Sequence, residues 1–189
     1  TITGNLEWTI ESFGKSKKGY LTFPTKFDMV EALLPLNHGG RTIMRMSVNP
    51  QPIIQRLELG TSSLKGRIRA LGQMHAAGYK VGLLIAPVVL MDNWEELYGQ
   101  LIQQLADELP AKLKQELFIE IIFMTYSYIH RAINAEAFPG AVQLYDKSLM
   151  TGRGRGKYCY NPQSRRQAEA YLREILEQKL SGIPIIYIV

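Results

Sequence analysis

The chain has 189 residues, 46% of them apolar, which is enough for one substantial core and short for two domains. A formal net charge of +5 and a pI near 9.3 favour a polyanionic partner, and the distribution of that charge matters more than its size. The single cysteine, Cys159, excludes an intramolecular disulfide and a cysteine-built metal cluster within these residues. The longest apolar stretch, Val81 to Met91, is too short to span a bilayer, and the lack of disulfides fits a cytoplasmic location.

In chain order, Thr9 to Lys18 ends in a Gly, Lys and Ser cluster with the composition of a helix stop and loop. Tyr20 to Thr25 is a short β-like run that delivers Lys26 at its C-terminal end. Phe27 to Leu36 carries Met29, Val30, Leu33 and Leu34 at helical spacing, with Asp28 as cap, and predicts a helix. Arg41 to Asn49 predicts a strand ending in Ser47 and Asn49, followed by a loop containing Pro50 and Pro52. Thr61 to Ala77 predicts a helix capped by Ser62 or Ser63 and stopped by Gly78. Lys80 to Met91 reads as a buried strand whose regular pairing ends at Pro87.

Asp92 to Leu109 predicts a long amphipathic helix closed by Pro110, and its acidic start at Asp92, Glu95 and Glu96 suits helix polarity without further function. Leu113 to Met124 predicts a fourth strand, and Tyr126 to Ala137 a helix or mixed segment. Leu144 to Tyr160 predicts a basic hairpin, followed by an amphipathic helix over Pro162 to Leu180 and a last strand over Ile183 to Val189. Strands alternating with crossover helices imply one α/β unit over 1–189, with a largely parallel sheet and outer helices. In such sheets ligand groups gather at the carboxyl ends of the strands, where Lys26, Ser47, Asn49 and Ala86 fall.

An ammonium, a hydroxyl and an amide at adjacent strand ends can grip a carboxylate and a ribose, although a loop lysine and two turn-forming residues explain the same letters. Arg45 shares a face with Ser47 and reaches the same pocket or the sheet interior. In the hairpin, Gly152, Gly154 and Gly156 alternate with Arg153 and Arg155. The strand Lys157, Tyr158, Cys159, Tyr160 places the tyrosines on one face. From Leu144 to Arg166 six cations stand against the single acid Asp146, a net of five charges equal to the formal excess of the chain. Arginines at a turn beside aromatics suit phosphate contact with base stacking, and a solvated basic loop is the competing reading. His38, His75 and His130 lack ligand spacing, Tyr126, Tyr128 and His130 read as helix surface, Cys159 reads as a small buried residue, and neither GxSxG nor GxxxxGK[ST] occurs.

The stretches TKFDMVEALLPLNHGGRT, RMSVNPQPIIQRLELGTSSLKGRI and AAGYKVGLLIAP, together with the GRGRGKYCY hairpin, resemble the spore photoproduct lyases, DNA-repair members of the radical S-adenosylmethionine superfamily. The resemblance runs over nearly the whole chain and is strongest from Leu21 to Pro87. It implies the C-terminal half of a partial (β/α)6 barrel and repair of the thymine dimer spore photoproduct by a radical derived from S-adenosylmethionine. A [4Fe-4S] cluster on CxxxCxxC cysteines would lie upstream of Thr1 with the hydrogen-donating cysteine, and the chain alone would be inert. Lys26 and Ser47 match positions that hold S-adenosylmethionine, Asn49 lies in the same RxSVN pattern, and Ala86 matches a backbone contact to the adenine end. Arg153, Arg155, Lys157 and Tyr158 match the hairpin that presses into duplex DNA beside the lesion. Implied partners are double-stranded DNA carrying a thymine photolesion and a reductant protein for the cluster, with no membrane and a monomeric enzyme. A non-catalytic nucleic-acid-binding remnant, or a radical enzyme acting on another substrate, is the alternative.

Overall fold

The computed structural model of the protein describes residues 3–189. Five strands form a parallel sheet: β1 (Leu21–Thr25), β2 (Thr42–Val48), β3 (Lys80–Val88), β4 (Ile119–Phe123) and β8 (Ile185–Ile188), in the order β1-β2-β3-β4-β8. The helices are α1 (Asn5–Lys15), α2 (Gln51–Leu57), α3 (Leu64–Ala76), α4 (Trp94–Glu108), α5 (Ala111–Glu116), α6 (Tyr128–Ala137) and α7 (Pro162–Lys179). A second, antiparallel sheet orders β5 (Thr125–Ser127), β7 (Lys157–Tyr160) and β6 (Met150–Gly154) as β5-β7-β6.

The alternation of side chains along each strand divides the large sheet into two unlike faces. Met44, Met46 and Val48 of β2, with Leu83 and Ile85 of β3 and Ile119 and Ile121 of β4, are buried in one core with Ile68, Leu71 and Met74 of α3 and Leu101 and Leu105 of α4. The register pairs Pro24 with Arg45 and Arg45 with Gly82, which puts these residues on the other face. There Pro24 is exposed and Arg45 half-buried, and Arg45 bonds Glu120 at 3.3 Å. Position 82 takes glycine because a Cβ there would stand 2.3 Å from the Phe118 ring.

Local chemistry explains where two of the helices begin. The Ser63 hydroxyl caps α3 by accepting from the Gly66 amide at 3.2 Å, and Asn161 caps α7 by accepting from the Ser164 amide at 2.9 Å. Each cap satisfies an amide that the first helical turn would otherwise leave without a partner.

Four sequence expectations are corrected. Residues 27–36 form successive turns rather than a helix: the stripe is short, Pro35 interrupts it, and the Asp28 carboxylate is taken by Ser62 at 2.6 Å and Arg69 at 3.2 Å instead of capping. The expected loop after Asn49 is α2, because Pro50 and Pro52 fall at its cap and first turn, where the missing N–H is no loss. Residues 113–116 belong to α5, so the fourth strand starts only at Ile119. The segment 144–149 lies outside β6, and the hairpin is confined to residues 150–160. Its two-residue turn places Arg155 at φ 52° and Gly156 at φ 67°, both left-handed, as a tight turn between right-twisted strands requires.

Candidate cofactor pocket and nucleic-acid interface

Neighbouring parallel strands carry their C-terminal ends to one rim of the sheet, and three of the residues singled out in sequence meet there. The Ala86 carbonyl accepts from the Ser47 hydroxyl at 2.9 Å and from the Lys26 ammonium at 3.2 Å. Asn49 is buried beside them with its amide engaged at both ends. It donates to Glu58 at 2.8 Å and to the Pro87 carbonyl at 3.1 Å, and accepts from the Tyr98 hydroxyl at 3.1 Å.

The centre of this network is a residue that no sequence motif singled out. Glu58, at the end of α2, forms an ion pair with Lys26 and a second one with Arg67 at 2.7 Å. Burial alone would raise its pKa, but hydrogen bonds from Lys26 and Asn49 and the Arg67 guanidinium paired with it outweigh that and hold the carboxyl below its ordinary range. Arg67 is wholly buried and also donates to the carbonyls of Ser62 at 2.9 Å and Ser47 at 3.0 Å and to the Thr61 hydroxyl at 2.7 Å. One signal was present: Arg67 lies three residues after Leu64 and next to Ile68, on the apolar stripe of α3, and an arginine there demands a buried acid.

A cavity of about 380 Å³ opens beside this network, walled by Lys26, Glu58, Tyr126, His130, Arg131 and Leu144 among others. Tyr126 and His130, read from sequence as helix surface, therefore stand on its wall. Next to it four tyrosines pack together. Tyr126 stacks on Tyr145 with centroids 5.4 Å apart, and Tyr158 meets Tyr128 at 4.8 Å and Tyr145 at 5.1 Å, both edge-on. Hydrogen bonds from Tyr158 and Tyr145 lower the pKa of Tyr128. Tyr158 is thus half-buried against its neighbours, while Arg153, Arg155 and Lys157 are exposed together at the hairpin tip. Cys159 is half-buried opposite Thr125. Among the described residues, no group of three His, Cys, Asp or Glu side chains could hold a metal ion, and no helix is long and apolar enough to cross a membrane.

A parallel sheet with polar groups converging at its strand ends, and a basic hairpin beside them, defines an α/β protein whose candidate site lies on the carboxyl rim of the sheet. The sequence model of spore photoproduct lyase matches residues 1–189, and the chain belongs to that family. It is 32% identical over 190 residues to the spore photoproduct lyase of Geobacillus sp. (strain Y412MC61), covering 98% of this chain and 56% of that protein. The Bacillus subtilis (strain 168) lyase is 34% identical over 180 residues, covering 93% of this chain and 52% of the relative. A doubly substituted spore photoproduct lyase solved with bound AdoMet and dinucleoside spore photoproduct superposes with a TM-score of 0.92 at 31% identity, over 100% of this chain and 56% of that one. A lyase complexed with dinucleoside spore photoproduct gives 0.91 at 31% identity, over 100% of this chain and 56% of that one. The chain spans about half the length of these relatives.

Proposed function

We propose that this chain supplies part of the cofactor pocket and the DNA-contacting hairpin of an enzyme that repairs spore photoproduct in DNA. The carrying observation is the convergence of Lys26 and Ser47 on the Ala86 carbonyl at the edge of the cavity, in a chain of this family. In this reading the sheet is the C-terminal half of a partial (β/α)6 barrel whose remaining strands and [4Fe-4S] cluster cysteines lie outside the 189 residues. AdoMet, when bound, supplies the deoxyadenosyl group that takes a hydrogen from the lesion.

The residues fit such a ligand. AdoMet carries an amino-acid carboxylate, and Lys26 offers an ammonium on the cavity wall whose bonds to Glu58 and Ala86 leave one of its three protons free. Ser47 fixes the Ala86 carbonyl, and hence the backbone on which the adenine end would rest, while Asn49 acts through Glu58 and the Pro87 carbonyl. The hairpin cations Arg153, Arg155 and Lys157 contact phosphates of duplex DNA, and Tyr158 anchors the hairpin to the tyrosine cluster from which it meets the lesion.

The test is Lys26→Ala in the complete polypeptide that carries this chain. Losing one charge-assisted hydrogen bond, worth about 1.5–3 kcal/mol, should weaken AdoMet binding roughly 10- to 100-fold and leave duplex affinity unchanged. Unchanged AdoMet affinity would reject the pocket assignment.

A further inference from the structure

Glu58 is the one acid in a network with two cations. Its side chain is 6% exposed, against 31% for Lys26 and 0% for Arg67. One anion between two cations leaves a single positive charge in excess. Arg67 cannot present it, because its guanidinium is enclosed and committed to Ser62, Ser47, Thr61 and Glu58. The surplus is therefore expressed at Lys26, the member with an accessible side chain on the cavity wall.

A lysine there is long and flexible, and ordering its side chain carries an entropic cost that would otherwise oppose ligand binding. Glu58 imposes that order before a ligand arrives. Its own place is fixed from behind by Asn49 at 2.8 Å and Arg67 at 2.7 Å, and Asn49 is fixed in turn by Tyr98 at 3.1 Å. We infer that Glu58 is a positioning residue: it holds the Lys26 ammonium against the Ala86 carbonyl so that the remaining N–H points to the carboxylate of the ligand. The inference rests on the reading of Lys26 as the contact to the amino-acid end of AdoMet.

A double-mutant cycle on the complete polypeptide separates positioning from a merely structural role, with AdoMet affinity measured by calorimetry and folding followed by circular dichroism. Glu58→Gln should weaken AdoMet binding about 10-fold, equivalent to about 1.4 kcal/mol. Glu58→Asp, which keeps the charge, should stay within about 3-fold of the parent, about 0.7 kcal/mol. In a Lys26→Ala background, Glu58→Gln should add nothing. A loss of equal size with and without Lys26, or no loss in a folded Glu58→Gln protein, overturns the inference. Should Glu58→Gln not fold, the cycle is read with Glu58→Asp, whose shorter side chain draws the ammonium back: a loss of about 2- to 3-fold that disappears in the Lys26→Ala background supports positioning, and a loss that persists there, or no loss in a folded protein, overturns it. If Lys26→Ala itself leaves affinity unchanged, the reading of Lys26 falls and takes this inference with it, a result distinct from a silent Glu58 beside a sensitive Lys26.

Discussion

Replacing Arg67 with methionine should destabilise the protein more than any change at the exposed rim. Methionine fills most of the volume but returns none of the donors. The buried Ser47 carbonyl, at 3.0 Å, and the half-buried Ser62 carbonyl, at 2.9 Å, both lose this partner. Each buried acceptor left unpaired costs about 1–3 kcal/mol. Breaking a buried ion pair costs about 3–5 kcal/mol when nothing replaces the lost partner. Here Glu58 keeps Lys26 and Asn49, so its share falls well below that range. With the half-buried Ser62 acceptor at the low end of its range and about 1 kcal/mol for Glu58, the sum is about 3–5 kcal/mol, and at about 2–4 °C per kcal/mol for a chain of this size the midpoint should drop by roughly 10 °C. Differential scanning calorimetry and urea unfolding read the change directly. Arg67→Lys should recover little, because a lysine cannot reach several acceptors in the fork geometry. A drop under about 2 °C in the methionine variant would refute the claim that this arginine is the buried brace of the pocket.

Two further outcomes follow from the charges. The folded pKa of Glu58 lies below its ordinary value of 4.5, so its contribution to stability is fully present above pH 4.5 and is lost as pH falls through the lowered folded value. Urea midpoints measured downward from pH 5 should show an acid-side decline that is shallower in Glu58→Gln, and parallel declines would contradict this. Arg153→Ala combined with Arg155→Ala should weaken duplex DNA binding and reduce the slope of log K against log salt by about 1.8, at about 0.9 per phosphate contact; an unchanged slope would show that the hairpin does not touch phosphate.

Much of the fold was legible because its signals are local. β1, β2, β3 and β4 are runs of apolar and β-branched residues, and α3 carries a cap at Ser63 that the structure uses. The failures had equally local causes. Pro50 and Pro52 read as loop, although proline is tolerated in a first helical turn, and the unread α2 hid Glu58 at its end. Asp28 read as a cap, but its carboxylate is claimed by Ser62 and Arg69, partners more than thirty residues away that no local pattern could supply. For the candidate site, the convergence of Lys26, Ser47 and Ala86 was legible because strand ends in a parallel sheet share one rim. Glu58 required knowing that Arg67, buried on α3, needs an anion within reach.

The two basic regions hold their charge in opposite ways, and this decides what each can bind. At the strand ends Arg67 is enclosed and Lys26 only partly exposed, and Glu58 nearly balances the two, so the remaining attraction acts over a few ångströms and suits a small anion with matching geometry. At the hairpin, Arg153, Arg155 and Lys157 are exposed and no acid lies between Met150 and Tyr160. Their attraction reaches about 8–10 Å at physiological salt, suits a long polyanion, and is screened by added salt, whereas the enclosed pair is screened much less. On the proposed reading, a small zwitterionic cofactor and a nucleic acid would therefore be held by the same chain without either site competing for the ligand of the other.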